Sequence, residues 1–249
     1  MDRTSHPSRF ALLLVVSVIL LSACSSPSTK SPASTSSATK PTDAGAALST
    51  PTSACLPGAY CATVPGPICD NAGAQWTMAA DAPLVTCTPI GLDVQFDAHH
   101  TEGVVFAPQT ATLGSTYALG VTVDLSNAHD GCFQAVTFTH LGGSGPGYAA
   151  YAYGICADGK WLIGYAPPST GKLSNLAEGQ VVPTNMYRVV VISAEATRTL
   201  LLNGRKVGTV TNASYTTATE AALLLSGNNE ASRETAVLRD FEFLASTAA

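Results

Sequence analysis

The thiol of Cys24 follows Leu21-Ser22-Ala23 directly, at the end of an apolar run from Phe10 to Leu21 that Arg3, His6 and Arg9 precede. A cationic start, an apolar stretch too short to span a bilayer as a permanent helix, and small residues before the cysteine mark a cleaved export leader. Cleavage before Cys24 would leave its sulfur as the reactive group of a new amino end. Elsewhere the side chains able to do acid–base or metal chemistry are sparse. Asp97-Ala-His-His-Thr-Glu102 brings histidines and carboxylates together, yet on a strand Asp97 and His99 would face one way and His100 and Glu102 the other, so no metal site is expected. His129 beside Asp130 precedes a glycine and reads as a turn. Glu230 and Glu234 sit in the polar stretch Asn228-Asn-Glu-Ala-Ser-Arg-Glu234 and read as solvated, whereas Asp240 and Glu242 share a face of an apolar strand.

The tetrapeptide Leu21-Ser-Ala-Cys24 resembles the processing site of bacterial lipoproteins. That resemblance implies a diacylglyceryl group on the Cys24 sulfur, removal of residues 1–23, and an added acyl chain such as palmitate on the new amino end. Several acyl chains hold firmly, since each buried methylene contributes about 0.8 kcal/mol. The expected location is the extracytoplasmic face of a cell membrane, with the membrane itself as a partner through Cys24.

Residues 25–53 are almost wholly Ser, Thr, Pro and Ala, with too little apolar bulk to fold, and read as a disordered linker. As a flexible to semi-extended coil it would reach on the order of 30 to 50 Å. Residues 54–249 then form one domain, with a cysteine-rich stretch at 54–90. This part carries eight Lys and Arg against fifteen Asp and Glu, a balance that excludes nucleic acid as a partner. Nothing in it calls for a cofactor.

Beyond Cys24 the chain holds Cys55, Cys61, Cys69, Cys87, Cys132 and Cys156, an even set that suits an oxidising compartment and predicts three disulfides. No CxxC pair or histidine spacing suggests zinc. One bridge follows from register. Leu141-Gly-Gly-Ser-Gly-Pro-Gly147 is strong loop chemistry between two apolar runs, and a hairpin centred on Ser144 sets Cys132 opposite Cys156, each twelve residues from the centre. Facing residues on paired strands lie within disulfide reach. Of the remaining four, Cys55 with Cys61 and Cys69 with Cys87 keep the loops shortest.

The domain reads as strand after strand: 92–97, 103–107, 117–125, 132–139, 147–156, 161–166, 187–193, 198–202, 206–210, 220–226 and 237–245. Each is short, rich in Val, Leu, Thr and Tyr, and bounded by turn residues, the pattern of an all-β sandwich. Asp158-Gly159 and Asn203-Gly204 predict two-residue type I′ hairpins. The Ala/Thr-rich segment 213–222 lacks an apolar stripe and reads as a loop.

The succession Tyr153-Gly-Ile-Cys-Ala-Asp-Gly-Lys-Trp161, Leu176-Ala-Glu-Gly179, Tyr187-Arg-Val-Val-Val-Ile192, Leu200-Leu-Leu-Asn-Gly-Arg-Lys-Val207 and Leu238-Arg-Asp-Phe-Glu-Phe243 resembles a concanavalin A-like lectin/glucanase domain, also seen in laminin-G-like and 3-keto-disaccharide hydrolase-like modules. The resemblance implies a jelly-roll antiparallel β-sandwich over roughly residues 92–245. Retaining glucanases of this fold set Glu-x-Asp-x-x-Glu, or a close variant, on one strand, with two carboxylates about 5.5 Å apart. No such motif occurs here, so no catalytic residue is assigned.

If the hairpin face holding the 132–156 bridge and Trp161 is the buried one, Tyr151 and Tyr153 stand on an outer sheet face where sugars stack in lectins of this fold; otherwise both are core residues with their hydroxyls satisfied at the edge. Leu162 and Gly164 would share that face with them. The sequence therefore predicts a lipid-anchored extracytoplasmic binding or interaction module with Tyr151 and Tyr153 toward a glycan or an envelope protein. A glycoside-hydrolase-like enzyme and a non-catalytic envelope scaffold are the alternatives.

Overall fold

The computed structural model describes residues 59–67, 76–78, 85–96, 102–106, 115–141, 147–227 and 233–246; for 59–67, 76–78, 102–106, 140 and 245–246 it describes the backbone alone. The leader, Cys24 and the linker lie outside the described residues, as do Cys55, Cys69, residues 97–101 and Glu230.

Two antiparallel sheets face each other. The first runs in the order β13 (Arg205–Thr211), β12 (Thr197–Leu202), β11 (Met186–Ala194), β6 (Thr116–Asn127), β15 (Glu234–Ser246), β4 (Gly91–Phe96), β3 (Val85–Thr88), with β1 (Ala59–Pro67) also paired to β15. The second runs β10 (Ser174–Gln180), β9 (Lys160–Ala166), β8 (Tyr148–Cys156), β7 (Cys132–His140), β14 (Glu220–Ser226), β5 (Glu102–Phe106), β2 (Trp76–Met78). This is the jelly-roll sandwich expected from the sequence. All eleven strands read from the sequence are present, and 213–219 is a loop. Alternate residues of β6, β11, β12 and β15, such as Leu119, Val121, Val189, Leu200 and Phe243, meet Phe133, Ile155, Ile163 and Leu223 in one buried core.

The β7–β8 hairpin has the register derived from the sequence: Cys132 faces Cys156, the pairing continues to His140 opposite Tyr148, and the two cysteines are bridged. Cys87 is disulfide-bonded as well, while the side chains of Cys55, Cys61 and Cys69 lie outside the described residues. Asn203 and Gly204 both have positive φ, 50° and 78°, and form the expected tight turn.

The turn at Asp158-Gly159 differs. Only Gly159 has positive φ, 86°, and its N–H donates to the Cys156 carbonyl at 2.9 Å. The loop therefore spans 157–159, three residues with glycine in the left-handed position, and Ile155 pairs with Trp161. One extra loop residue exchanges the faces of the whole following strand. Trp161, Ile163 and Tyr165 thus point inward with Tyr153 and Tyr151, while Leu162 and Gly164 point outward, the reverse of the sequence reading.

Trp161 closes the seam where the edges of the two sheets meet. A Cβ on Gly179 of β10 would lie 2.7 Å from its ring, and one on Gly208 of β13 would lie 2.6 Å away. The indole is thus held between two strands from different sheets, each bare of side chain at that point. Gly208→Ala should destabilise the fold by about 1–3 kcal/mol through overpacking, seen as a lower urea midpoint with an unchanged slope. Replacing Cys132 and Cys156 together by Ala should cost about 3 kcal/mol in the same measurement.

Candidate functional site

Tyr151 and Tyr153, the residues expected to meet a ligand, lie in the core, 3% and 0% exposed. The outer-face expectation fails because the bridge face of the β7–β8 hairpin is the outer one. The Tyr153 hydroxyl lies 3.5 Å from that of Tyr117, which bonds Thr137 Oγ1 at 2.9 Å. The Tyr151 ring lies under the guanidinium of Arg198, 3.9 Å from Cζ to the ring centroid. Arg198, 1% exposed, donates from Nη1 to the carbonyls of Glu195 and Asn212, at 3.2 and 3.1 Å, and from Nη2 to that of Tyr215. Carbonyl oxygens and an aromatic face therefore hold this cation, and the loop after β13 is fastened over that end of the core.

The even-numbered residues of the hairpin form the outer face instead. Val136 and Phe138 of β7, Ala150 and Ala152 of β8, Ala166 of β9, and Ala222 and Leu224 of β14 make a second apolar cluster, separate from the inter-sheet core. Its floor is made of small residues. Gly164 leaves room for Leu173, whose side chain a Cβ there would meet at 2.8 Å, so the loop after β9 folds back onto the face. Gln134, 3% exposed, lies on the same face with Oε1 unpartnered.

At one end this face carries polar and aromatic groups that are only half-buried. The Tyr148 ring meets Phe138 edge to face, centroids 6.3 Å apart at 78°. Glu220 of β14 pairs with Phe138 and so shares its face. Burial, and secondarily the nearby Glu220 charge, raises the Tyr148 hydroxyl above its ordinary pKa. The Thr219 N–H and hydroxyl both donate to the Phe138 carbonyl, at 2.7 and 3.1 Å, and Thr139 Oγ1 donates to the Thr217 carbonyl. These bonds fix the start of β14 and with it Glu220. The three residues Phe138, Tyr148 and Glu220 were not singled out in the sequence, although the 132–156 register already set Phe138 and Tyr148 on one face.

The other carboxylates are placed differently. Glu178 of β10 also faces outward, but it lies four strands away and four residues further along, about 23 Å from Glu220 by strand spacing and rise. Paired hydrolytic carboxylates sit about 5–9.5 Å apart. Asp240 and Glu242 lie on the first sheet, where a left-handed Asp240, φ 52°, interrupts the strand alternation. Arg188 spans that bulge, donating to the Asp240 carbonyl at 2.5 Å and to Glu242 Oε2 at 2.9 Å. It crosses β6 over Gly120, where a Cβ would meet Nη2 at 2.6 Å. Among the described residues no group of three acidic, histidine or cysteine side chains could hold a metal ion.

No protein-family model matches the chain, and no curated protein matches its sequence. Its fold does match solved structures. Bacillus licheniformis β-glucanase aligns over 76% of this chain and 99% of its own, at 11% identity and a TM-score of 0.56. The κ-carrageenase of Pseudoalteromonas carrageenovora, solved in complex with an oligotetrasaccharide of κ-carrageenan, aligns over 79% and 99%, at 11% identity and a TM-score of 0.56. The chain therefore shares the β-sandwich fold of these two structures. Within this sandwich the Phe138–Tyr148–Glu220 group lies on the outer face of the second sheet.

Burial raises the hydroxyl pKa of Tyr153 well above its ordinary value of 10, and the nearby Tyr117 adds to this. Burial likewise raises Tyr148, Tyr151 and Tyr165. Above about pH 10 the unfolded chain releases protons that the folded chain retains, so this stabilisation is complete below that pH and is lost as pH rises further. Urea midpoints should be flat from about pH 7 to 9 and fall by about pH 11. Tyr153→Phe should shrink that fall, and an undiminished fall in the variant would contradict the assignment.

Proposed function

We propose that this chain is a saccharide-binding module, carried on a cell membrane by acyl chains on Cys24 and facing outward from the cytoplasm. The observation that carries the reading is the half-exposed Tyr148 ring, braced edge to face by Phe138 beside the Glu220 carboxylate. A sugar ring offers C–H faces that stack on an aromatic ring, and hydroxyls that donate to a carboxylate. The match to the sandwiches of a β-glucanase and a carrageenase supports saccharide as the ligand class over other small molecules. Among the described residues one carboxylate, Glu220, stands at this place, which suits holding a sugar. Glycosidic hydrolysis would draw on two.

A glycan array probed with the full chain in detergent should show binding to a restricted set of polysaccharides. Tyr148→Ala should weaken that binding at least about tenfold, the loss of roughly 1.4 kcal/mol that one ring contact supplies. Tyr151→Phe, altered only in the core, should keep it. Equal binding by Tyr148→Ala and the unaltered chain would remove this face from the site. Metabolic labelling with a palmitate analogue should tag the chain, and Cys24→Ser should abolish the tag.

A further inference from the structure

Met186 opens β11 on the outer face of the first sheet, 40% exposed. Arg239 Nη2 donates to its Sδ at 3.0 Å, so the thioether side chain reaches across β6 to β15. The main chain beneath it is fixed, because the Met186 carbonyl accepts from Thr184 Oγ1 at 2.8 Å and from Asn203 Nδ2 at 3.4 Å. A thioether sulfur is a weak acceptor for a guanidinium, whose parallel N–H groups suit oxygen. The second donor on that edge of Arg239 is wasted. Its Nε is buried with no hydrogen-bond partner, and Asp240 Oδ2 stands 3.8 Å away, past hydrogen-bond reach. A buried donor left without an acceptor is costly.

Oxidation of the sulfur would supply the missing acceptor. A lone pair of Sδ attacks one oxygen of hydrogen peroxide, an S–O bond forms and the O–O bond breaks. The proton on the transferred oxygen passes to the leaving one, which departs as water; sulfur has lost two electrons and peroxide has gained them. We infer that Met186 is an oxidation site for peroxide and that Arg239 holds the sulfoxide oxygen through Nη2 and Nε. Arg188, two residues along the same face of β11, pairs with Thr122 of β6, as Arg239 does from the other side. The negative end of the sulfoxide dipole therefore forms beside two cationic side chains. A sulfoxide in an apolar core disrupts packing, whereas here it ties β11 to β15 more firmly. The site lies on the other sheet from Tyr148 and is independent of saccharide binding.

The test uses the full chain in detergent, treated with hydrogen peroxide and then with catalase. Peptide mass spectrometry should show Met186 gaining one oxygen. The melting-temperature shift caused by peroxide should be more positive, by about 2–4 °C, in the unaltered chain than in Met186→Leu, the gain from one charge-assisted hydrogen bond. Leucine keeps the apolar volume, and the remaining methionines, Met1 and Met78, are common to both chains. Arg239→Gln should still be oxidised at Met186 but shift as Met186→Leu does. Should Arg239→Gln fail to fold, Arg239→Lys, which keeps the charge without the fork, takes its place. Met186 left unoxidised, equal shifts in the unaltered chain and Met186→Leu, or a full gain retained without Arg239 overturns the inference.

Discussion

The pairing of Cys132 with Cys156 decides which side chains of the second sheet become core and which become surface. Strand alternation has a period of two, so a slip of one residue between β7 and β8 would expel Tyr151 and Tyr153 and bury Tyr148 and Ala150 instead. The covalent bridge removes that alternative at one end of the hairpin, and the Leu141 N–H bonded to the Gly147 carbonyl at 2.9 Å closes the other. β14 pairs against β7 and β9 against β8, so both inherit the same allocation of faces. The aromatic–carboxylate group on the outer face is a product of that allocation.

The two ends of the inter-sheet core are closed by charged residues of opposite sign, Arg198 at one and Glu234 at the other. Arg198 meets carbonyl oxygens and the Tyr151 ring. A planar guanidinium suits this better than an ammonium, because its fork can serve several carbonyls while its flat face stacks. Ser193, opposite Arg198 on β11, and Tyr117, opposite Ser193 on β6, extend the polar layer across the first sheet. The core is therefore aliphatic and phenyl in its middle and polar at its ends, which limits how far one sheet can slide along the other.

Much of this was legible in the chain. The apolar runs and turn residues gave the strands, and the symmetric Gly/Ser loop gave the hairpin register to the residue. Four strands escaped notice, three in the amino-terminal stretch and β10, whose residues are mostly exposed and whose composition, Ser-Asn-Leu-Ala-Glu-Gly-Gln, carries no apolar alternation. The face assigned to β9 failed for a local reason. Asp-Gly is compatible with both a two-residue and a three-residue loop, and only the backbone at Asp158 distinguishes them. Trp161, the bulkiest landmark in that region, was thereby grouped with the bridge face instead of with Tyr151 and Tyr153. Arg198 and Glu234 gave no signal, since burial of a lone charge at a strand end depends on neighbours far away in sequence.

The indole of Trp161 between Gly179 and Gly208 has an evolutionary consequence. These three positions lie on three strands from two sheets, and the volume available to one is set by the other two. A side chain gained at 179 or 208 could be accommodated only with a smaller residue at 161, so substitutions at the three sites should appear together in related chains. A tryptophan at 161 in a divergent sequence would then identify both facing glycines, and align the edges of the two sheets where overall similarity no longer can.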